Sequence, residues 1–354
     1  MKIINPEAVL ALYRGMRGKA LAVAVLLSAA STARSTDREF AEYTPQSEAA
    51  IDQGTKWLVQ ALNPDGGCGV DITQPSDIGC TAMAGLAFLS QGSTPTRGSR
   101  TKEANRILNF ILKAVDEMPP DDITCLTGTQ IQNKIGRHAH TFFAAVYLSQ
   151  IVGEVNNPER AQKALRKLIY VTQRTQQPDG GWGDGSWAPV LGTVMAWMGL
   201  RGGYFAGARV EASIEQTEEK LLKQMKEEAQ GWMHSLYKNA SGVRVLYATG
   251  RGGGAVARKT LEEILRLVTT DKTPFTQAGG EEYLAFHLIN ECMLQEGGRD
   301  WQKWFPCVRE RLIEAQNKDG SWTGHHCITS RTFCTAASLL VLTSPNRYLP
   351  ISQK

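Results

Sequence analysis

Three short stretches carry the side chains best suited to chemistry. The first is Glu281-Glu282-Tyr283, with His287 one helical turn beyond Tyr283. A carboxyl beside a phenol and an imidazole is the material of a general acid–base group. Consecutive helical residues diverge by about 100°, so at most one of Glu281 and Glu282 is expected to face inward. Glu282, Tyr283 and His287 form the expected catalytic wall, and a hydrogen-bonded helix–helix contact is the alternative. The second stretch is His138-Ala139-His140 and the third His325-His326-Cys327. The third is metal-like, but chain neighbours rarely share one ion, so His138 or His140 would have to complete it. Otherwise His140 packs at a helix start and the two loop histidines are solvated. His140 joins the catalytic set. His138, His325 and His326, with Asp184 and Trp187 from the Asp184-Gly185-Ser186-Trp187 extension, form the ligand-binding set. No metal and no cofactor is assigned.

The elements that must position these residues come from an internal repeat. Asn63-Pro64-Asp65-Gly66-Gly67-Cys68-Gly69, Gln176-Gln177-Pro178-Asp179-Gly180-Gly181-Trp182 and Gln316-Asn317-Lys318-Asp319-Gly320-Ser321-Trp322 read alike. Each follows an amphipathic segment and precedes a small, apolar one (81–89, 190–200 and 332–342). Less regular pairs fit between them: 102–115 with 139–152, 214–228 with 242–248, and 259–268 with 282–294, while 301–315 precedes the last corner. A helix pair cannot bury both its faces alone, so such repeats must stack. Six pairs closing into a double-layered ring are expected. Asp is expected to cap the following helix, Gly-Gly to end the preceding one, and Trp to plug the gap between repeats. Function should gather at the N-terminal ends of the inner helices, where Asp77 and Glu281 also fall and where helix dipoles favour anionic groups.

Composition limits the alternatives. Of 354 residues, 42% are hydrophobic and 21% charged, and the net charge of +4 lacks the clustered basic stripe of a nucleic-acid binder. Lys2, Arg14, Arg17 and Lys19 precede the apolar run 20–30, and Ser31-Thr32-Ala33 offers small residues for a cut. That is the layout of an export signal; an uncleaved anchor is the alternative. We expect a leader at 1–33, a flexible segment at 34–48, the helical ring at 49–345 and a tail at 346–354, in a secreted or periplasmic protein with no membrane span in the mature chain. Among seven cysteines, Cys68 with Cys80 and Cys327 with Cys334 are the pairs to test for disulfides in an oxidising compartment. Gly250-Arg251-Gly252-Gly253-Gly254 lacks a phosphate-loop pattern and reads as a flexible connection.

The Gln-x-x-Asp-Gly-x-Trp corners resemble the QW motif of squalene and hopene cyclases and of protein prenyltransferase β subunits. The resemblance covers most of the chain after about Ala49 and implies an all-α (α/α)6 toroid. The closing Asn346-Arg347-Tyr348-Leu349-Pro350 is similar to the tail of a secreted bacterial subgroup of poorly defined function. The family's chemistry does not carry over. There is no D-x-D-D, the motif whose central acid starts class II terpene cyclisation; Asp121-Asp122 lie in an expected turn. The positions of the prenyltransferase zinc ligands fall on Gly280, Glu282 and Arg331. Nor does Cys68-Gly69-Val70-Asp71 supply the Gln of a complement-type thioester. Two functions remain: a binding toroid for a ligand or an envelope protein, or an enzyme acting on an isoprenoid, lipid or glycan in the central cavity.

Overall fold

Alternation between half-buried and wholly buried helices is the organising feature of the chain. A computed structural model describes residues 41–119, 128–183, 185–229 and 231–349. The expected leader, the start of the 34–48 segment, Asp121-Asp122, Cys125, Asp184 and the last five residues lie outside the described residues. Within the unit Glu42–Lys354 the helices are α1 Pro45–Gln60, α2 Ile78–Leu89, α3 Thr101–Glu117, α4 Gln130–Ile135, α5 Ala139–Ile151, α6 Pro158–Arg174, α7 Pro189–Phe205, α8 Glu211–Gln224, α9 Gly231–Ala248, α10 Ala255–Thr270, α11 Thr273–Thr276, α12 Gly280–Glu296, α13 Gly298–Ala315 and α14 Arg331–Leu342. Among the described residues, extended pairing amounts to two isolated bridges, Leu62 with Cys68 and Cys68 with Asp77.

Outer helices bury one stripe. In α3 it is Ala104, Ile107, Leu108, Ile111, Leu112 and Val115, the three-and-four spacing of an amphipathic helix. Inner helices have no polar face to offer water: every residue of α2 is buried, as is nearly all of α12. Each inner helix packs on the next in the order α2, α5, α7, α9, α12 and α14, and α14 returns to α2. The ring is closed, and the fold is an all-α (α/α)6 toroid.

The corners repeat one set of contacts. Asn63, Gln177 and Asn317 each donate a backbone N–H four residues on, to Gly67, Gly181 and Ser321, at 2.8, 2.9 and 2.8 Å. Asp65, Asp179 and Asp319 accept the N–H two residues on. They therefore close their own turn, where the sequence suggested a cap on the next helix. Gly66, Gly180 and Gly320 take φ of +91°, +83° and +91°, the region open to glycine. The following residue ties the corner to a threonine of the inner helix: Cys68 to Thr81, Trp182 to Thr193 and Trp322 to Thr335. Both tryptophans are buried, and the Trp322 indole donates to the Leu312 carbonyl at 2.7 Å. Gln176 bonds forward to Ser213 and Thr217 of α8. Gln316 bonds to the Ala50 carbonyl of α1, which stitches the last repeat to the first.

Three details differ from expectation. Helix α9 begins at Gly231 rather than near 242, because its first turns are half-exposed and polar and so lack an apolar stripe. Helix α4 is added, held by a capping box from Thr129 to Gln132. Finally, Cys68, Cys80, Cys327 and Cys334 are free thiols; Cys80 Sγ instead lies 3.3 Å from Ser330 Oγ. No described helix is long and apolar enough to cross a membrane.

Candidate functional site

The first turn of α12 brings two carboxyls to the N-terminal rim. Glu282 caps its own helix, accepting the Gly279 N–H at 2.6 Å, and also accepts the Tyr237 hydroxyl from α9. Glu281 accepts the Ile328 N–H at 3.2 Å and pairs with Lys134 of α4 at 3.1 Å. His326 lies between them, Nδ1 3.1 Å from Glu281 and Nε2 3.2 Å from Glu282. Both carboxyls are wholly buried. The expectation that only one of these glutamates faces inward is thus replaced. At a helix end each side chain can reach a loop or a neighbouring helix, and one imidazole spans the angle between them.

Charge in this cluster is tightly constrained. Burial, and after it the Glu281 charge, pushes the Glu282 carboxyl up to about 7. The Tyr237 hydroxyl, the Gly279 N–H and Lys134 oppose that rise. Burial and Glu281 likewise raise the exposed Cys327 thiol, whose sulfur is 3.6 Å from Lys134 Nζ. Lys134 also faces the Tyr237 ring, 5.4 Å from its centre. Perturbed groups gathered in this way mark a functional site more often than chance.

Beside this cluster, Asp77 caps α2 through the Cys80 N–H at 2.8 Å. It pairs with His140 Nε2 at 3.0 Å. Burial works to raise the Asp77 pKa, but His140 and the Cys80 hydrogen bonds together outweigh it and the carboxyl is held below its usual value. His140 is fully buried and 3.3 Å from Thr129 Oγ1, so it packs at the start of α5 as part of a polar pair. Gln130 bridges α4 to the Thr329-Ser330 backbone at 3.0 and 3.1 Å.

The remaining expected residues are dispersed. Tyr283 is buried among the inner helices, with its hydroxyl pushed up by burial. His287 lies deeper in the ring, 3.5 Å from Glu291, which pairs with the fully buried Arg244 at 2.8 Å. Burial holds His287 below its ordinary pKa; Glu291 opposes this and Arg244 adds to it. Glu282, Tyr283 and His287 therefore share a helix but not one reacting centre. His138 packs its ring against Phe142. His325 is exposed, and Trp187 is 73% exposed. Arg331 is engaged by Asp71, Asp319 and Ser321, so it forms part of a corner.

Open volume lies at the other end of the ring. A cavity of about 800 Å³ sits among the C-terminal ends of α5, α7, α9 and α12. Its walls include Trp197, Phe205, Tyr247, Arg201, Arg244 and Glu296. Arg201 lies over the Trp197 and Phe205 rings at 5.1 and 5.6 Å. Burial, and then the nearby Arg244 charge, hold the Arg201 guanidinium below its usual pKa. Gly250, Gly252 and Gly253 of the connection after α9 also line the cavity.

No known protein family and no curated protein matches the chain in sequence. Among solved structures, the chain is similar to a type II terpene cyclase from Scytonema bound to its substrate geranylgeranyl dihydroxybenzoate. The TM-score is 0.53 and the identity 15%, over 86% of this chain and 98% of that one. It is also similar to an inactivated α-1,6-mannanase of Salegentibacter bound to α-1,6-mannotriose. Here the TM-score is 0.59 and the identity 10%, over 86% and 99% of the two chains. These likenesses establish the shared α/α toroid.

Proposed function

We propose that the protein is an exported ligand-binding toroid. Its cavity at the C-terminal ends of the inner helices takes an amphiphile with a lipid- or isoprenoid-like body and an anionic head. The cavity is the observation that carries this reading. Its size suits a small molecule, and Trp197, Phe205 and Tyr247 offer flat apolar walls. Arg201 and Arg244 line the cavity beside Glu296, held from behind by Glu218 at 3.9 Å and Glu291 at 2.8 Å, and their guanidinium N–H groups are the donors for an anionic head. The terpene cyclase of the same fold holds a prenyl chain joined to a dihydroxybenzoate, a molecule of that general form.

Binding is favoured over cyclisation by position. A cyclase acid must face the alkene it protonates, yet Glu282, whose carboxyl is pushed up by burial, stands about 20 Å from the cavity at 1.5 Å per residue, and Glu296 in the wall already accepts the Tyr247 hydroxyl at 2.6 Å. The buried carboxyls are covered by His326 and neutralised in part by Lys134, whose charge is hostile to a carbocation. Export rests on the basic, apolar and small residues at 2–33. N-terminal sequencing of the protein from fractionated native cells tests it: a cut near Ala33 in an exported fraction is expected, an intact Met1 in the membrane fraction is the uncleaved anchor, and a chain confined to the cytosol overturns export.

The binding test is extraction of the purified protein followed by mass spectrometry, beside Ala248→Phe, which fills the cavity from its wall. About one prenyl or acyl amphiphile per chain is expected in the parent and none in the variant, with unchanged circular dichroism. A parent without amphiphile that also fails to bind a prenylated benzoate or oleate, or a filled variant that keeps its ligand, overturns the reading.

A further inference from the structure

The N-terminal rim holds a second arrangement, at the other end of the toroid and independent of the amphiphile. Donor atoms of Glu281, His326 and Cys327 all lie within 4.8 Å of one another. We propose that these three residues bind one divalent transition metal of the zinc class, leaving a fourth position open to water or a small ligand.

The donor set selects the ion. One carboxylate oxygen, one imidazole nitrogen and one thiolate suit zinc or cobalt, whereas calcium and magnesium take oxygen ligands. Three protein ligands with an open fourth position is the pattern of a reactive rather than a structural zinc site. Bonds of about 2.0–2.3 Å place tetrahedral donors somewhat under 4 Å apart, so binding asks the 324–328 loop to close by about an ångström.

Two features explain how consecutive residues serve one ion. Cys327 has φ +44°, a left-handed conformation unusual for a side chain larger than hydrogen; it turns the chain so that His326 and Cys327 face Glu281 together. His326 also offers its two nitrogens to different partners. Nδ1 faces Glu281, while Nε2 lies 3.2 Å from Glu282 without an aligned hydrogen bond; a small ring rotation on metal binding makes Glu282 the outer carboxylate that orients a metal-bound histidine. Glu281 Oε1 is buried and makes no aligned hydrogen bond, although Lys134 and His326 both approach it at 3.1 Å. That oxygen is aimed into the site.

Charge balance fits as well. Binding breaks the Cys327 S–H bond, forms a metal–sulfur bond and releases one proton to solvent. With Glu281, Cys327 and Glu282 anionic and Lys134 cationic, the dication brings the cluster to neutrality. Lys134 now neutralises the same donors and withdraws toward the Tyr237 ring as the ion enters. The ligands differ from those implied by resemblance to the prenyltransferases, which fall on Gly280, Glu282 and Arg331. They also differ from the histidine set suggested by sequence, since the third donor is Glu281 and neither His138 nor His140 contributes.

The test is titration of the reduced, metal-free full chain with Co²⁺ alone. One equivalent should bind, releasing a proton and producing a sulfur-to-cobalt charge-transfer band with intense tetrahedral visible bands, all reversed by Zn²⁺. Cys327→Ser, at an exposed position, should abolish the charge-transfer band. Glu282→Gln should weaken binding about 10–100-fold, as loss of an outer-shell partner does. Cys307→Ser, at a thiol bonded to the Val268 carbonyl, should change nothing. Absence of the band in the parent, or its persistence in Cys327→Ser, overturns the proposal.

Discussion

Replacing Gly180 by alanine should destabilise the ring far more than the same change at Gly183, three residues away. At Gly180 the backbone has φ +83°, and an added Cβ would lie 2.3 Å from the Gln216 carbonyl oxygen of α8. A left-handed alanine costs about 1–2 kcal/mol. Relieving the clash means moving the corner away from α8 by about an ångström to reach ordinary contact. That movement strains the Gln176 bonds to Ser213 and Thr217, worth about 1 kcal/mol each. The sum is about 3–4 kcal/mol. Gly320→Ala meets the Gln53 carbonyl at 2.7 Å with φ +91°, so about 2–3 kcal/mol is expected where the ring closes. Gly183 has only the Gln177 side chain at 3.5 Å, and its alanine should stay within about 0.5 kcal/mol, as surface changes do. Thermal unfolding followed by circular dichroism reads the difference, at about 2 °C per kcal/mol for a chain of this size. If Gly180→Ala and Gly183→Ala melt together, the corners do not fasten one repeat to the next.

Further outcomes follow from the buried charges and thiols. Removing Glu291 alone, as Glu291→Leu, leaves Arg244 buried without its carboxylate and should cost about 3–5 kcal/mol; Arg244→Met with Glu291→Leu should recover most of it in urea unfolding. His287, facing Glu291 and Arg244, has a folded pKa below its unfolded value. The neutral form is favoured in the fold, so its contribution is complete above about pH 6.5 and is lost as pH falls below that. The parent should therefore lose more melting temperature than His287→Phe between pH 7.5 and 5.5, and parallel profiles would contradict this. In metal-free native protein a thiol reagent should modify Cys327 well before Cys68, Cys80 or Cys334. These three are buried, with Cys68 pushed up to about 12 and the other two well above the usual range; peptide mapping of the labelled chain decides.

The toroid was legible because its corners are written in residues with local meaning. Asp-Gly requires a turn, Gly180 and Gly320 require positive φ, and Gln176 and Gln316 occupy matching places, so three copies suffice to infer a stacked repeat. The rim was legible only in part. Glu281, Glu282 and His326 stand out by type, but Lys134 reaches them from a six-residue helix whose apolar stripe is only Ile131 and Ile135. Beyond that pair its signal is the Thr129-Gln130-Ile131-Gln132 capping box. That Glu281 and Glu282 converge was hidden because helical angles describe the middle of a helix better than its first turn. The cavity was not legible at all. Its lining joins Ser149, Trp197, Arg244 and Glu296 from four inner helices, and no local pattern records which helix ends stand apart.

The separation of the two ends is itself informative about α12. Along its length run Glu281 and Glu282 at the rim, His287 and Glu291 in the middle, and Glu296 beside the cavity. Each of these carboxyls has a cationic or hydrogen-bonding neighbour on a different element: Lys134 on α4, His326 in the loop before α14, Arg244 and Tyr247 on α9. A helix buried on every side needs no such charges for stability, since well-packed apolar residues serve as well or better than buried ion pairs. Setting the geometry of something bound would offset their cost. Arg244 is both the partner of Glu291 and part of the cavity wall, so the orientation of that guanidinium toward a ligand depends on the α9–α12 contact. The rim carboxyls sit on the same helix about 20 Å away, so the two ends of α12 serve separate sites on one rigid element.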